Sequence, residues 1–214
     1  MLQTALRRGV YRPTAVPAFS RAMSFSYPGP RKLGDLVKLP LLERESPEKI
    51  RHIWREYHND EERRTDGKRP SFAEVLESSQ YSQLRLRSKQ SPMFVFPVLK
   101  PKGYINLVTQ FQDTFCLATS LEEYQKRRSF SFPHVTITFF EELMKEKNIV
   151  LMRADMFSPD LTRDEGQQMF QSLLRFYLSD REYTRFVETF NSRPREFNFQ
   201  DLLKEIQVTQ LNGK

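Results

Sequence analysis

The chain has 214 residues, with 34 Lys and Arg against 27 Asp and Glu, for a formal net charge of +7. Its single cysteine, Cys116, excludes an intrachain disulfide and a cysteine-ligated metal centre, and no Asn-x-Ser/Thr sequon occurs. The longest apolar stretch, Met93 to Leu99, falls far short of the ~20 residues that cross a bilayer, which sets aside disulfide-rich and membrane-spanning classes.

The basic balance suggests nucleic acid until its distribution is read. The first acidic residue is Asp35, and six bases precede it: Arg7, Arg8, Arg12, Arg21, Arg31 and Lys32. An Arg-bearing, hydroxyl-bearing, acid-free start is the composition of a mitochondrial transit peptide, expected over 1–23, with a processing site near Met23. Such charge suits transport toward the negative matrix side of a membrane. Loss of residues 1–22 removes four arginines and brings the charge from +7 to +3.

Residues 24–70 read as an N-terminal extension, beginning with an extended, proline-bearing lead-in. A helix is expected over 46–59, with Ser46 as N-cap and Pro47 at the first helical position. Its apolar residues Ile50, Ile53, Trp54 and Tyr57 fall on one face at i, i+3, i+4, i+7. The run from Asp60 to Pro70 is almost wholly polar and charged, and reads as a solvated linker. Ser71-x-x-Glu74, Ser120-x-x-Glu123, Thr162-x-x-Glu165 and Ser179-x-x-Glu182 each match a capping box and predict four further helix starts. Strands are expected at Met93–Val98, Tyr104–Phe111, Thr114–Thr119, Val135–Phe140 and Ile149–Asp155, with Gln112-Asp113 turning the second into the third. A short helical insert fits Glu141–Lys147. Three C-terminal stripes (Phe170, Leu173, Leu174, Tyr177; Tyr183, Phe186, Val187, Phe190; Phe199, Leu202, Leu203, Ile206) read as helix faces packed on a core. Together these predict a single α+β domain over 71–210, a mixed, mostly antiparallel sheet of about five strands covered by helices.

Chemistry-bearing patterns are few. The seven glycines are scattered singly, so no phosphate loop or dinucleotide fingerprint exists, and there is no G-x-S-x-G elbow. His52 and His58 lie six apart on one helix and point apart; His134 begins a strand, and Cys116 sits in an apolar one, where an inert thiol is expected. The pairs Glu122–Glu123 and Glu141–Glu142 stand at helix starts, where negative charge complements the dipole. Arg85 to Lys89 and Lys126 to Phe130 are the best nucleic-acid candidates, equally explained as helix C-termini. No catalytic residue, metal site or cofactor is assigned. Aromatics and Arg, the residue types that anchor interfaces, concentrate instead in Phe190 to Phe199.

Several blocks closely resemble the mitochondrial ATP synthase F1 assembly factor family, the chaperones of the free β subunit. They read KLPLLERESPEKIRHIWREYH (38–58), SPMFVFPVLKPKGYINLVTQFQ (91–112), CLATSLEEYQ (116–125), PHVTITFFEELMKEKNIVLMRADM (133–156), and LLRFY with FVETFNSRPREFNFQDLL (173–203). Ala154-Asp155 stands where a Gly-Glu pair is expected of the family. The resemblance implies a matrix chaperone, not an enzyme and without cofactor, that binds the F1 β subunit and shields its α-facing surface until α displaces it. Arg153, Asp155, Phe190, Asn191, Arg193, Pro194 and Phe197 are the expected partner-binding residues. The alternatives are a mitochondrial RNA- or ribosome-associated basic protein and, third, a matrix enzyme.

Overall fold

The computed structural model describes residues 32–59, 70–127 and 131–212; the expected presequence and most of the charged linker lie outside them. From residue 32 on, the lead-in is not extended. It coils into a 3-10 turn at Leu33–Asp35 and a helical turn, α1 (Leu39–Leu42), with Pro40 near its start. Helix α2 (Pro47–Asn59) follows as predicted, and Ser46 Oγ accepts from Lys49 N at 3.3 Å.

Next comes the main departure. Ser71–Glu77 (SFAEVLE) is not a helix start but a strand, β1. Phe72 and Leu76 enter one core while Ala73 and Val75 enter another. Burial on both faces hides the period-2 alternation and leaves an apolar run. The true helix start is six residues on: α3 spans Ser78–Gln90, with Glu77 N donating to Gln80 Oε1 at 3.0 Å. Strands β2 (Met93–Lys100), β3 (Gly103–Gln112) and β4 (Phe115–Ser120) form a meander, with Gly103 (φ +123°) and Asp113 (φ +49°) making its turns. Helix α4 (Leu121–Arg127), β5 (Val135–Phe140), α5 (Met144–Lys147) and β6 (Ile149–Met156) continue the chain. Three helices close it: α6 (Arg163–Leu178), α7 (Asp180–Ser192) and α8 (Phe199–Asn212).

Among the described residues the sheet has six strands, in the order β1-β6-β5-β4-β3-β2. Every pairing is antiparallel, rather than mixed. The sixth strand is β1, which α3 connects to β2 at the opposite edge. On one face, Phe94 and Phe96 of β2, Ile137 of β5 and Met152 of β6 pack under α3, α6, α7 and α8 through Tyr81, Leu173, Phe176, Val187 and Leu202. The other face holds a smaller, separate core. There Leu33, Leu42, Ile50 and Trp54 cover Ala73, Val75, Phe140, Ile149 and Leu151. The Trp54 indole N–H donates to the Met152 carbonyl at 3.1 Å, and its ring meets Phe140 edge-on at 5.8 Å.

Of the remaining capping signals, Thr162/Glu165 is a full reciprocal box and Ser120 Oγ accepts from Glu123 N at 3.2 Å. At the α6–α7 junction the Ser179 hydroxyl instead donates to the Glu182 carboxylate. Arg175 bridges Glu182 at 2.9 Å and Glu205 at 2.7 Å, tying α6 to α7 and α8.

Two outcomes are expected. Trp54→Ala costs ~3–5 kcal/mol in urea unfolding through cavity and lost contacts, whereas Trp54→Phe, which forfeits chiefly the bond to Met152, costs ~1–3 kcal/mol. Burial pushes the Glu182 carboxyl up, but the Ser179 hydroxyl and Arg175 guanidinium outweigh it and hold it below its usual value of 4.5. A carboxylate depressed in the folded state adds stability above its unfolded value and loses it as pH falls through the folded one. Stability measured against pH therefore drops below about 4.5 in the native protein, and Glu182→Gln flattens that slope while costing stability at neutral pH.

Candidate partner-binding surface

Helix α7 is irregular. Its Tyr183–Glu188 stretch is π-helical, the wider coil that recurs where a helix must re-aim side chains. Thr189 Oγ1 donates to the carbonyl of Thr184, five residues back, at 3.0 Å. Beyond it Phe190 and Phe197 fold inward onto Phe94 of β2, with ring centroids 5.6 and 6.2 Å from it and 5.1 Å from each other. Between them Asn191 docks on the edge strand itself. Its Nδ2 donates to the Met93 carbonyl at 2.6 Å and to Val187 O at 2.8 Å, while its Oδ1 accepts from Met93 N at 3.4 Å. One carboxamide thus stands in for a missing neighbouring strand.

The β2 edge is further blunted by Pro97, which has no N–H to offer. At the opposite edge the Glu74 carboxylate accepts from Val75 N at 3.0 Å. Three of the expected site residues, Phe190, Asn191 and Phe197, are therefore first of all edge and core groups. Arg193 and Pro194 differ: both are exposed, and the Arg193 guanidinium reaches Glu196 (3.1 Å) and Thr189 Oγ1 (3.3 Å).

Arg153 and Asp155 lie elsewhere. They project from the same side of β6 and pair at 2.5 Å, half-buried. Their cross-strand partners are Ala73 and Thr138 for Arg153, and Ser71 and Thr136 for Asp155. That is the face of the smaller core, beyond Leu151, whereas Phe94 belongs to the other face. The structure brings the 190–197 residues together and the Arg153–Asp155 pair together, but puts the sets on opposite faces near opposite edges.

The other chemistry-bearing groups are occupied structurally. Cys116 is fully buried and burial pushes its thiol far up. His134 is buried at the start of β5; desolvation outweighs the Asp160 and Glu123 carboxylates and pulls its imidazole below 6.5, so it is neutral at pH 7. His58 is buried against Trp54, while His52 faces outward and pairs with Glu56. Glu141 accepts from the Tyr81 hydroxyl at 2.6 Å and from Arg85, which also binds Asp113 at 2.7 Å. Glu142 accepts from Leu33 N at 3.0 Å. Arg87 donates to Tyr177 O and lies 4.5 Å over the Tyr183 ring. Among the described residues, no group of three or more His, Cys, Asp or Glu is arranged to hold a metal ion, and no helix is long and apolar enough to cross a membrane. Sequence reasoning missed the edge-capping role of Asn191. A carboxamide on the stripe flank, one residue after Phe190, carries no periodic signal.

Comparison with known proteins adds the rest. The family model described as "ATP11 protein" matches residues 12–203. The chain is 26% identical over 185 residues to "ATP synthase mitochondrial F1 complex assembly factor 1" of Homo sapiens, covering 86% of this chain and 54% of that protein. The Danio rerio protein of the same name is 28% identical over 178 residues, covering 83% and 56%. "Protein atp11, mitochondrial" of Schizosaccharomyces pombe is 28% identical over 105 residues, covering 45% and 36%. The chain thus spans about half the length of the first two relatives.

Asn191→Ala leaves the Met93 donor and acceptor without their partner. It is expected to cost ~1–3 kcal/mol in chemical denaturation and to make the protein self-associate with rising concentration on size exclusion, as a freed β edge does. Arg193→Glu, at an exposed ion pair, shifts stability by less than ~1 kcal/mol.

Proposed function

The chain belongs to the ATP11 protein family, and from that membership we propose that it is an assembly chaperone of the mitochondrial ATP synthase. It acts in the matrix by binding the unassembled F1 β subunit and covering the surface that later packs against α. The observation that carries this reading is the family match across residues 12–203, joined to relatives named as F1 assembly factors.

Physical chemistry supports the role. A subunit awaiting its hexamer presents an apolar patch, and such patches aggregate. A factor that occupies the patch withdraws it from that route by mass action. It must hold firmly yet yield to α, which suits an interface of moderate size. The task asks for contact surface rather than catalysis. The buried Cys116, the desolvated His134 and the paired Glu141 and Glu142 are consistent with that. Exposed Arg193 and Pro194 at the tip of the α7–α8 turn, and the Arg153–Asp155 pair on β6, are the contact residues of this reading.

The test is capture from matrix extract after nuclease treatment. Unassembled β subunit is recovered, and recovery changes modestly with salt. Loss of recovery on nuclease treatment, or a steep fall with salt, would instead favour the RNA-associated reading. Arg193→Glu lowers capture in a protein whose unfolding curve matches the native one; unchanged capture removes the turn from the interface.

A further inference from the structure

We propose that the face formed by β1, β6 and β5 is a docking surface for a basic amphipathic helix of the partner, and that α2 is the built-in occupant which that helix displaces. The inference rests on the reading that the chain binds an F1 subunit, and it names where and how.

Helix α2 meets this face with a two-part pattern. Ile50 and Trp54, four residues apart, enter the smaller core at 0% and 2% exposure. One position further along, Arg51 and Arg55 reach carboxylates on a single strand: Arg51 pairs with Glu77 at 2.5 Å, and Arg55 pairs with Glu74. The lead-in adds Leu33, whose N–H is accepted by Glu142. An apolar floor of Val75, Phe140, Ile149 and Leu151 is thus rimmed by three carboxylates, all engaged by the covering segment. That is a receptor for a helix carrying apolar residues at i and i+4 with bases at i+1 and i+5.

Three features make this face the one that opens. Its core is separate from the main one, so lifting α2 leaves the larger core closed. Both sheet edges carry side chains on outward backbone groups, Asn191 on Met93 and Glu74 on Val75, which disfavours recognition by strand addition. The same face also carries Arg153 and Asp155 further along β6, so that pair of expected contact residues lies on it. An incoming helix of matching pattern replaces the contacts it displaces, so the exchange costs far less than exposing the face to water.

The experiment locks the cover. In the Arg51→Cys, Glu77→Cys variant a short bismaleimide joins α2 to β1, and the fully buried Cys116 stays unmodified. Because Glu77 is a rim carboxylate of the proposed site, the unlinked variant's own capture of β subunit is the reference. After linking, capture falls by about tenfold or more, because the closed state has no site to offer, while the thermal transition stays at or above that of the unlinked variant. Undiminished capture by the linked protein overturns the inference and leaves the chaperone reading intact. Failure of the native protein to capture any F1 subunit removes both. A second variant, Arg51→Glu with Arg55→Glu, sets like charges against Glu77 and Glu74 and captures faster than native; slower or equal capture counts against the exchange.

Discussion

The antiparallel ladder between β1 and β6 is the constraint on which the rest of this structure depends. It pairs Ser71 with Asp155 and Glu77 with Ile149 across a long span of chain. Without it the sheet would be a five-strand meander with β6 as a bare edge, and the second face would have no cover. Helix α2 is joined to that face chiefly through β1: Arg51 and Arg55 bind its glutamates, and Ile50 and Trp54 sit over Ala73, Val75 and the neighbouring strand. Helix α3, on the opposite face, departs directly from its end. One strand therefore sets the placement of the covers on both sides.

Legibility in sequence followed exposure. Strands β2 to β6 could be read because turns at Gly103 and Asp113 punctuate them and their aromatic and β-branched content is high. The three C-terminal stripes could be read because each helix has one wet face. The strand β1 could not. With both faces buried, Phe72-Ala73 and Val75-Leu76 form apolar pairs rather than an alternation, and Ser71 and Glu74 fall by coincidence at capping-box spacing. That pattern asks only for a hydroxyl and a carboxylate three apart, and nothing local tells it from an edge strand whose glutamate folds back on its own backbone.

The site residues divide along the same line. Arg-rich exposure at 193–195 is a compositional signal and was legible. That Phe190 and Phe197 turn inward depends on where β2 lies in space, which only the assembled sheet determines. The separation of Arg153 and Asp155 from that turn is a matter of strand order. The sequence holds both sets within about 45 residues, yet four strands, β5, β4, β3 and β2, run from β6 to the turn.

The β1–β6 ladder also orders events in time. As the chain emerges N-terminus first, β1 and α2 appear early and their partner strand arrives some 70 residues later. The hairpins from β2 to β6 close over short loops, whereas β1 must wait for the longest closure in the sheet. Until then the amphipathic face of α2 has no floor to lie on. A protein read here as guarding another's unfinished surface thus spends part of its own synthesis with an unfinished surface of the same kind, and contact order places that surface last to be sealed.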